Sequence, residues 1–338
     1  MARPGGWRRI GSKGRFRYLD SRGRRITDPD KIARIEALVI PPAWRDVRIS
    51  PRPNAKLQAT GLDAAGRRQY LYHVDYRAAQ EQAKFDNLIR FAERLPDLRT
   101  VMAEHMELDS LGREWVSAVA LRLIHLGWFR VGSDRYAQSS KTFGITTLRK
   151  SHVSVRGTRI SFGFPGKGRQ WVQTALVDPE LAAAIRELLA LRSGRRLFRY
   201  RSEGELHSLT GRRLNEYVAE HMGEEFTVKD FRTWGGTLLA AISLAERGVA
   251  ETETEAKRSI AAVMRRVGER LGNTPAVARA SYVSPAVVEQ YLEGRTIEDF
   301  RPAHLRVVGA RDIGLDREEQ AVLSLLRSWR IRRSRTAA

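Results

Sequence analysis

From Tyr76 onward the apolar residues fall at helical spacing. Phe85, Leu88, Ile89, Ala92 and Leu95 recur at i, i+3 and i+4, one stripe of an amphipathic helix that Pro96 is expected to close. The same periodicity predicts helices over 114–129, 179–191, 210–222, 229–247 and 254–271. Before Tyr76 the pattern differs: short alternating pieces, Phe16-Arg17-Tyr18-Leu19, Asp46-Val47-Arg48-Ile49 and Gln69-Tyr70-Leu71-Tyr72, are separated by Gly- and Pro-rich turns and predict strands. Between Gly144 and Val177 the β pattern returns in Ile145 to Leu148, His152 to Val155, Ile160 to Phe164 and Trp171 to Thr174, with turns at Arg156-Gly157 and Pro165-Gly166-Lys167-Gly168. The chain is thus expected to be α+β. Residues 1–76 form a small, mostly antiparallel β domain, and residues 77–338 a larger, mainly helical domain with a small sheet, a hairpin around 144–177, inserted in it.

Composition sharpens this picture. The 338 residues include 60 Lys and Arg against 39 Asp and Glu, a formal net charge of +21, with 42% hydrophobic residues. That much apolar material supports a folded core, and the length suits two domains. Residues 1–76 hold 17 of the basic residues against 7 acids, so the excess is concentrated at the amino-terminal end and points to an anionic partner. The absence of cysteine excludes disulfides, thiolate metal sites and thiol nucleophiles, and fits a reducing cytosol. The first twenty residues have no signal-peptide core. The most apolar stretch, Trp115 to Phe129, is broken by Arg122 and His125 and falls short of the roughly 20 residues of a membrane span. Nucleic acid is therefore the expected partner, ahead of an anionic membrane surface. The last twelve residues, with Arg327, Arg330, Arg332, Arg333 and Arg335, are expected to fray or to touch phosphates.

Several familiar chemistries fail on spacing. Gly163, Gly166, Lys167 and Gly168 do not make a nucleotide P-loop, because Gly rather than Ser or Thr follows the Lys; they read as a hairpin turn with an exposed Lys. Glu104, His105, Glu107 and Asp109 match no metal-binding signature and read as a solvated helix face. No metal site is expected. A basic protein without thiol, metal or ATP loop can still act on phosphodiesters if cationic side chains replace the metal and a hydroxyl is the nucleophile.

That directs attention to three strings. Trp128-Phe129-Arg130-Val131-Gly132-Ser133-Asp134-Arg135-Tyr136 places an Arg where an apolar helix ends. Lys229-Asp230-Phe231-Arg232-Thr233-Trp234-Gly235 places another at a helix start, and Asn273-Thr274-Pro275 precedes Ala280-Ser281-Tyr282-Val283-Ser284-Pro285. Taken singly, each has a plainer reading: Arg130 offsets a helix dipole, Arg232 pairs with a nearby acid, and Tyr282 packs on the core.

In their order, together with Ile40-Pro41-Pro42-Ala43-Trp44-Arg45-Asp46-Val47, Leu57-Gln58-Ala59-Thr60-Gly61, Gln69-Tyr70-Leu71-Tyr72-His73, the Gly144 to Lys150 segment and Gly166-Lys167-Gly168, the strings resemble the type IB DNA topoisomerases of the small bacterial and poxvirus-like kind. The resemblance covers nearly the whole chain. It implies a tyrosine-transesterase catalytic domain, a C-shaped clamp on double-stranded DNA, a monomer associated with the nucleoid in the cytoplasm, and no ATP or obligatory metal. It also implies an active site of Arg130, Lys167, Arg232, Asn273 and Tyr282, with Asn273 standing where relatives usually carry His. Tyr282 would then attack a phosphodiester to give a 3′-phosphotyrosine. Tyr291, among Val287, Val288 and Leu292, reads as helix packing. Lys56, Arg67, Arg68, Gln69, Tyr70, Tyr72 and Tyr136 are the candidate DNA contacts, although Tyr70 and Tyr72 share one strand face that could equally be the core face. Two other readings stand beside this one. A tyrosine recombinase or integrase has a similar set of residues but normally carries His in a His-x-x-Arg string, which here reads Lys229-Asp230-Phe231-Arg232. A nucleoid-binding protein would need none of the chemistry.

Overall fold

A computed structural model of the chain describes residues 6–12, 14–108, 111–192, 194–301 and 314–336. It divides into two compact units, residues 1–86 and 87–338. The first unit holds β1 (Trp7–Ile10), β2 (Arg17–Leu19), α1 (Pro29–Ala37), β3 (Arg45–Ile49), β4 (Leu57–Leu62) and β5 (Arg68–Tyr72). The five strands form one antiparallel sheet in the order β2-β1-β3-β4-β5. Helix α1 starts where the Asp28 carboxylate accepts from the N–H groups of Asp30 and Lys31 and Pro29 opens the first turn.

Strand alternation sorts this sheet into two faces. Trp7, Ile49, Ala59 and Leu71 are cross-strand partners in one row. They pack into a core with Ile26, Ile35 and Val47. The adjacent row, Arg8, Arg48, Thr60 and Tyr70, belongs to the opposite face. Tyr70 and Tyr72 therefore face away from the core and stack on each other, with centroids 6.2 Å apart.

Helix α2 (Val74–Met106) is one continuous helix. The division between units falls inside it, ten residues beyond the boundary expected at 76, because helical periodicity marks where a helix begins and not where its packing partners change. Pro96 also does not end it. Leu95 and Leu98, on either side of Pro96, are fully buried, and this packing holds the helix through the lost N–H.

The second unit continues with α3 (Arg113–Gly127), α4 (Asp134–Ser139), the sheet β6 (Val153–Arg156), β7 (Arg159–Pro165) and β8 (Trp171–Val177), then α5 (Pro179–Ala190) and the hairpin β9 (Arg199–Ser202) and β10 (Glu205–Ser208). Helices α6 (Gly211–Met222), α7 (Val228–Arg247), α8 (Glu253–Leu271), α9 (Pro275–Ser281), α10 (Pro285–Leu292) and α11 (Arg317–Thr336) complete it. Mixed helix and small antiparallel sheets make the fold α+β.

Two expectations are corrected here. Residues 145–148 are not a strand: Ile145–Thr147 is a 3-10 turn, with the Ile145 and Thr146 N–H groups donating to the Arg130 and Val131 carbonyls. All four residues are buried, so their composition imitated a core strand. The basic carboxy-terminal segment is helical through residue 336 rather than frayed. Leu325, Leu326 and Trp329 of α11 are buried, Trp329 Nε1 donates to Glu289 (2.7 Å), and Arg327 and Arg332 pair with Glu93 and Glu293. Residues 337 and 338 lie outside the described residues.

At its other end α11 is anchored to the centre of the unit. Glu319, buried, accepts from Arg99 Nη2 (2.7 Å) and Trp234 Nε1 (3.1 Å). His125 meets Arg99 at 3.0 Å, and burial followed by the Arg99 charge pushes its imidazole down to about 3, so it stays neutral. Trp234 is two residues from Arg232 on α7, so this network underlies the site. Among the described residues no helix is long and apolar enough to cross a membrane.

Candidate active site

Arg130 is set by the way α3 ends. Trp128 takes a left-handed backbone (φ 53°) and its N–H closes on Ile124. Phe129 then turns into the core against Phe162, with centroids 4.9 Å apart, so that the next residue faces outward again. Gly132, at φ 98°, and Gly144 are in backbone contact; a Cβ on Gly144 would lie 2.5 Å from the Arg130 carbonyl. That crossing admits no side chain.

Arg232 lies in the second turn of α7, which opens with reciprocal bonds between Thr227 and Asp230. Arg232 is 5% exposed. Nη1 donates to the Trp128 carbonyl and Nη2 to the Leu271 carbonyl (2.7 Å), whereas Nε is buried with no hydrogen-bond partner. Arg130 Nη2 donates to the Gly272 carbonyl and to Asn273 Oδ1, both at 2.8 Å. Both cations thus sit on the carbonyls that end α8, where the helix dipole is negative. Gly272 ends that helix at φ 61°, and a Cβ there would approach Arg130 Nη1 to 3.2 Å.

Tyr282 follows the last residue of the short helix α9, which Thr274 and Pro275 start. Its ring lies under Arg232, with the guanidinium carbon 5.1 Å from the centroid. Burial alone would raise the phenol, but the charge of Arg232 and a hydrogen bond from it, with the charges of Arg130 and Lys229, outweigh it, and its pKa falls below the ordinary value of about 10. Arg232 is itself lowered to about 10, by burial first and the Arg130 charge second, and remains a cation at neutral pH.

Lys167 occupies the exposed turn between β7 and β8, where Gly168 has φ 71°. It borders one cleft of about 430 Å³ together with Arg130, Arg232, Gly272, Gln170 and Arg270. The structure therefore gathers Arg130, Arg232 and Lys167 around a single opening. Asn273 is bonded to the first of these and Tyr282 lies beneath the second. The Asn273 amide also donates from Nδ2 to the Leu271 carbonyl (3.2 Å) and keeps a second N–H on the same nitrogen. Tyr291 is 2% exposed and its hydroxyl donates to the Gly248 carbonyl (3.0 Å), a packing role. Tyr136, on α4, is 40% exposed and is not among the residues bordering the cleft.

In the amino-terminal unit the candidates separate. Arg68, Tyr70 and Tyr72 share the face away from the core. Gln69 alternates to the other side, where its amide donates to Asp63 (2.9 Å), the same carboxylate that pairs with Arg67 (2.7 Å). Lys56 Nζ lies 4.1 Å over the Tyr76 ring. Sequence reading missed Arg8 and Arg48, which are in the Tyr70 row, and Arg270, which borders the cleft from the last turn of α8. Strand register and helix packing reveal them, not a local motif. Among the described residues, no group of three His, Asp or Glu is placed to hold a metal ion; Asp109 lies outside the described residues.

The chain has counterparts in sequence among known proteins. Residues 73–300 match the family described as eukaryotic DNA topoisomerase I, catalytic core, and residues 15–63 match the bacterial DNA topoisomerase IB amino-terminal domain. The chain is 33% identical over 289 residues to DNA topoisomerase 1B of Acanthamoeba polyphaga mimivirus, covering 83% of this chain and 85% of that protein. It is 23% identical over 239 residues to DNA topoisomerase I of monkeypox virus, covering 69% and 72%. DNA topoisomerase 1B of vaccinia virus (strain Copenhagen) matches to the same extent. The chain belongs to the type IB DNA topoisomerases.

Proposed function

We propose that the protein relaxes positive and negative supercoils by cutting one strand of duplex DNA, letting the duplex rotate and resealing it, with Tyr282 as nucleophile. The observation that carries this reading is the convergence of Arg130, Arg232 and Tyr282, distant in sequence, at the shared end of α8 and start of α7. The Tyr282 hydroxyl loses its proton to solvent and attacks phosphorus. The P–O5′ bond breaks, a 3′-phosphotyrosine forms, and the 5′-oxygen leaves with a proton from Lys167. A general acid so placed contributes about 10²- to 10⁴-fold. Arg130 and Arg232 hold the non-bridging oxygens as charge develops. Asn273 adds a neutral hydrogen bond and keeps Arg130 oriented. One phosphoester replaces another, so bond energy is conserved and neither ATP nor a metal ion is needed.

The amino-terminal unit closes on the duplex as half of a C-shaped clamp around DNA. Lys56, Arg67 and Arg68 meet phosphates there and Tyr70 reaches base edges, with Tyr72 beside it on the same face and Tyr136 joining from the catalytic unit, whereas Gln69 is held by Asp63 on the other side. One copy suffices for this chemistry, and the place of action is the nucleoid. The reading is tested with a duplex carrying a nick a few nucleotides beyond the cut, so that the short leaving strand diffuses away and the adduct is trapped. The expected product is a protein–DNA adduct on the 3′ side of the break, with a free 5′-hydroxyl on the released strand. An adduct through a 5′-phosphate, or none, would refute the assignment.

A further inference from the structure

Helix α7 carries three successive residues that the chemistry above does not use, and two of them, Gly236 and Thr237, touch the Tyr282 turn. Gly235 packs under the Trp128 indole, and a Cβ there would lie 2.3 Å from its Nε1. Gly236 meets the Tyr282 backbone: a Cβ there would be 2.8 Å from the Tyr282 carbonyl oxygen and 3.0 Å from the Tyr282 Cβ. Thr237 is fully buried, and its hydroxyl donates to the Tyr282 carbonyl (3.1 Å) while accepting from the Ser284 N–H (3.1 Å). A mid-helix threonine commonly bonds back to its own helix. This one spends its donor and an acceptor on a different segment.

Tyr282 needs such support. With φ −131° and ψ −15° it lies outside helical geometry at the end of a seven-residue helix, so α9 alone does not fix its direction. Besides the bonds of the Tyr282 and Val283 N–H groups to the Ala278 carbonyl (3.0 and 3.1 Å), the turn is held from α7 at the Tyr282 carbonyl and the Ser284 N–H, by the same helix that carries Arg232. Nucleophile and transition-state cation are thereby mounted on one rigid element.

We propose that Thr237 is a positioning residue that sets Tyr282 in line with the phosphate; this rests on the reading of Tyr282 as nucleophile. Thr237→Val keeps the shape and removes both hydrogen bonds. A displacement of about 1 Å at a reacting group costs about 10²-fold. The expected result is a 10- to 100-fold slower single-turnover cleavage at saturating DNA, with an unchanged DNA concentration for half-saturation. Thr237→Ser, which retains the hydroxyl, is expected within about threefold of the wild type. Should Thr237→Val not fold at the assay temperature, Thr237→Ala is compared with Thr237→Ser, and the same ordering is expected. Wild-type cleavage by Thr237→Val, or equal losses in Thr237→Val and Thr237→Ser, would overturn the inference. Tyr282→Phe is run alongside. An adduct that persists in that variant would sink the nucleophile assignment and this inference with it, whereas a Tyr282-dependent adduct formed at full rate by Thr237→Val would sink the positioning role alone.

Discussion

Tyr282→Phe is expected to form no covalent complex and to relax no plasmid, while binding duplex DNA as the wild type does. The substitution removes one oxygen and leaves the ring. Arg232 keeps its contact with the ring face and its bonds to the Trp128 and Leu271 carbonyls, so the site stays assembled. The backbone hold on the Tyr282 carbonyl is also untouched. Binding comes mainly from Lys and Arg contacts to phosphate, which the change does not alter, so its affinity is expected to fall with rising salt along the wild-type slope. Tyr291 offers no substitute, being buried with its hydroxyl committed to Gly248. Denaturing gels of trapped complexes and filter binding at several salt concentrations separate the two properties. A residual adduct in Tyr282→Phe would mean another nucleophile.

Arg232→Ala is expected to lower the cleavage rate by about 10²- to 10³-fold, the usual cost of losing one preorganised donor to a developing oxyanion. Arg232→Lys should recover little, because an ammonium cannot span two carbonyls and a phosphate as the planar fork does. The pH dependence adds a second signature. The positive charge of Arg232 helps to hold the Tyr282 phenol below its ordinary value. Without that charge the phenol rises, so the pH at which cleavage levels off should move upward in Arg232→Ala. A simple structural loss would scale the rate at every pH and leave the profile in place. The Trp128 carbonyl also loses its Arg232 donor, at about 1–3 kcal/mol, while the Leu271 carbonyl keeps the bond from Asn273. The rates are therefore compared at a temperature where melting curves show both proteins folded.

Much of this site was legible in the sequence because its residues lie in local strings. Arg130 follows an apolar helix, Arg232 opens another, and Tyr282 sits between two short helices whose starts are marked by Pro275 and Pro285. The long helices α3 and α5 to α8 were legible for the same reason, a repeating apolar stripe that persists for several turns. The strands β1 and β4 and the hairpin β9-β10 were not read, since their apolar residues are too few or too irregularly placed to show an alternation. Ile145 to Leu148 was misread because a buried irregular segment and a buried strand have the same composition. Thr237, Gly236 and Arg270 escaped for a different reason. Their importance arises from contacts with Tyr282 and Trp128 far along the chain, and nothing in their own neighbourhood signals it. Gln69 shows the reverse case: the motif that drew attention to it does not reveal that its side chain is tied to Asp63, away from the Tyr70 face.

The proposed mechanism requires relaxation through Tyr282 without metal or ATP. Its most direct test is to incubate negatively and positively supercoiled plasmids with wild-type protein and with Tyr282→Phe, in EDTA and without ATP, and to resolve the topoisomers on gels. The expected result is relaxation of both plasmids by the wild type and unchanged linking number with Tyr282→Phe. Wild-type protein that binds both plasmids but changes neither linking number, or that relaxes them only when a divalent metal or ATP is added, would contradict the account.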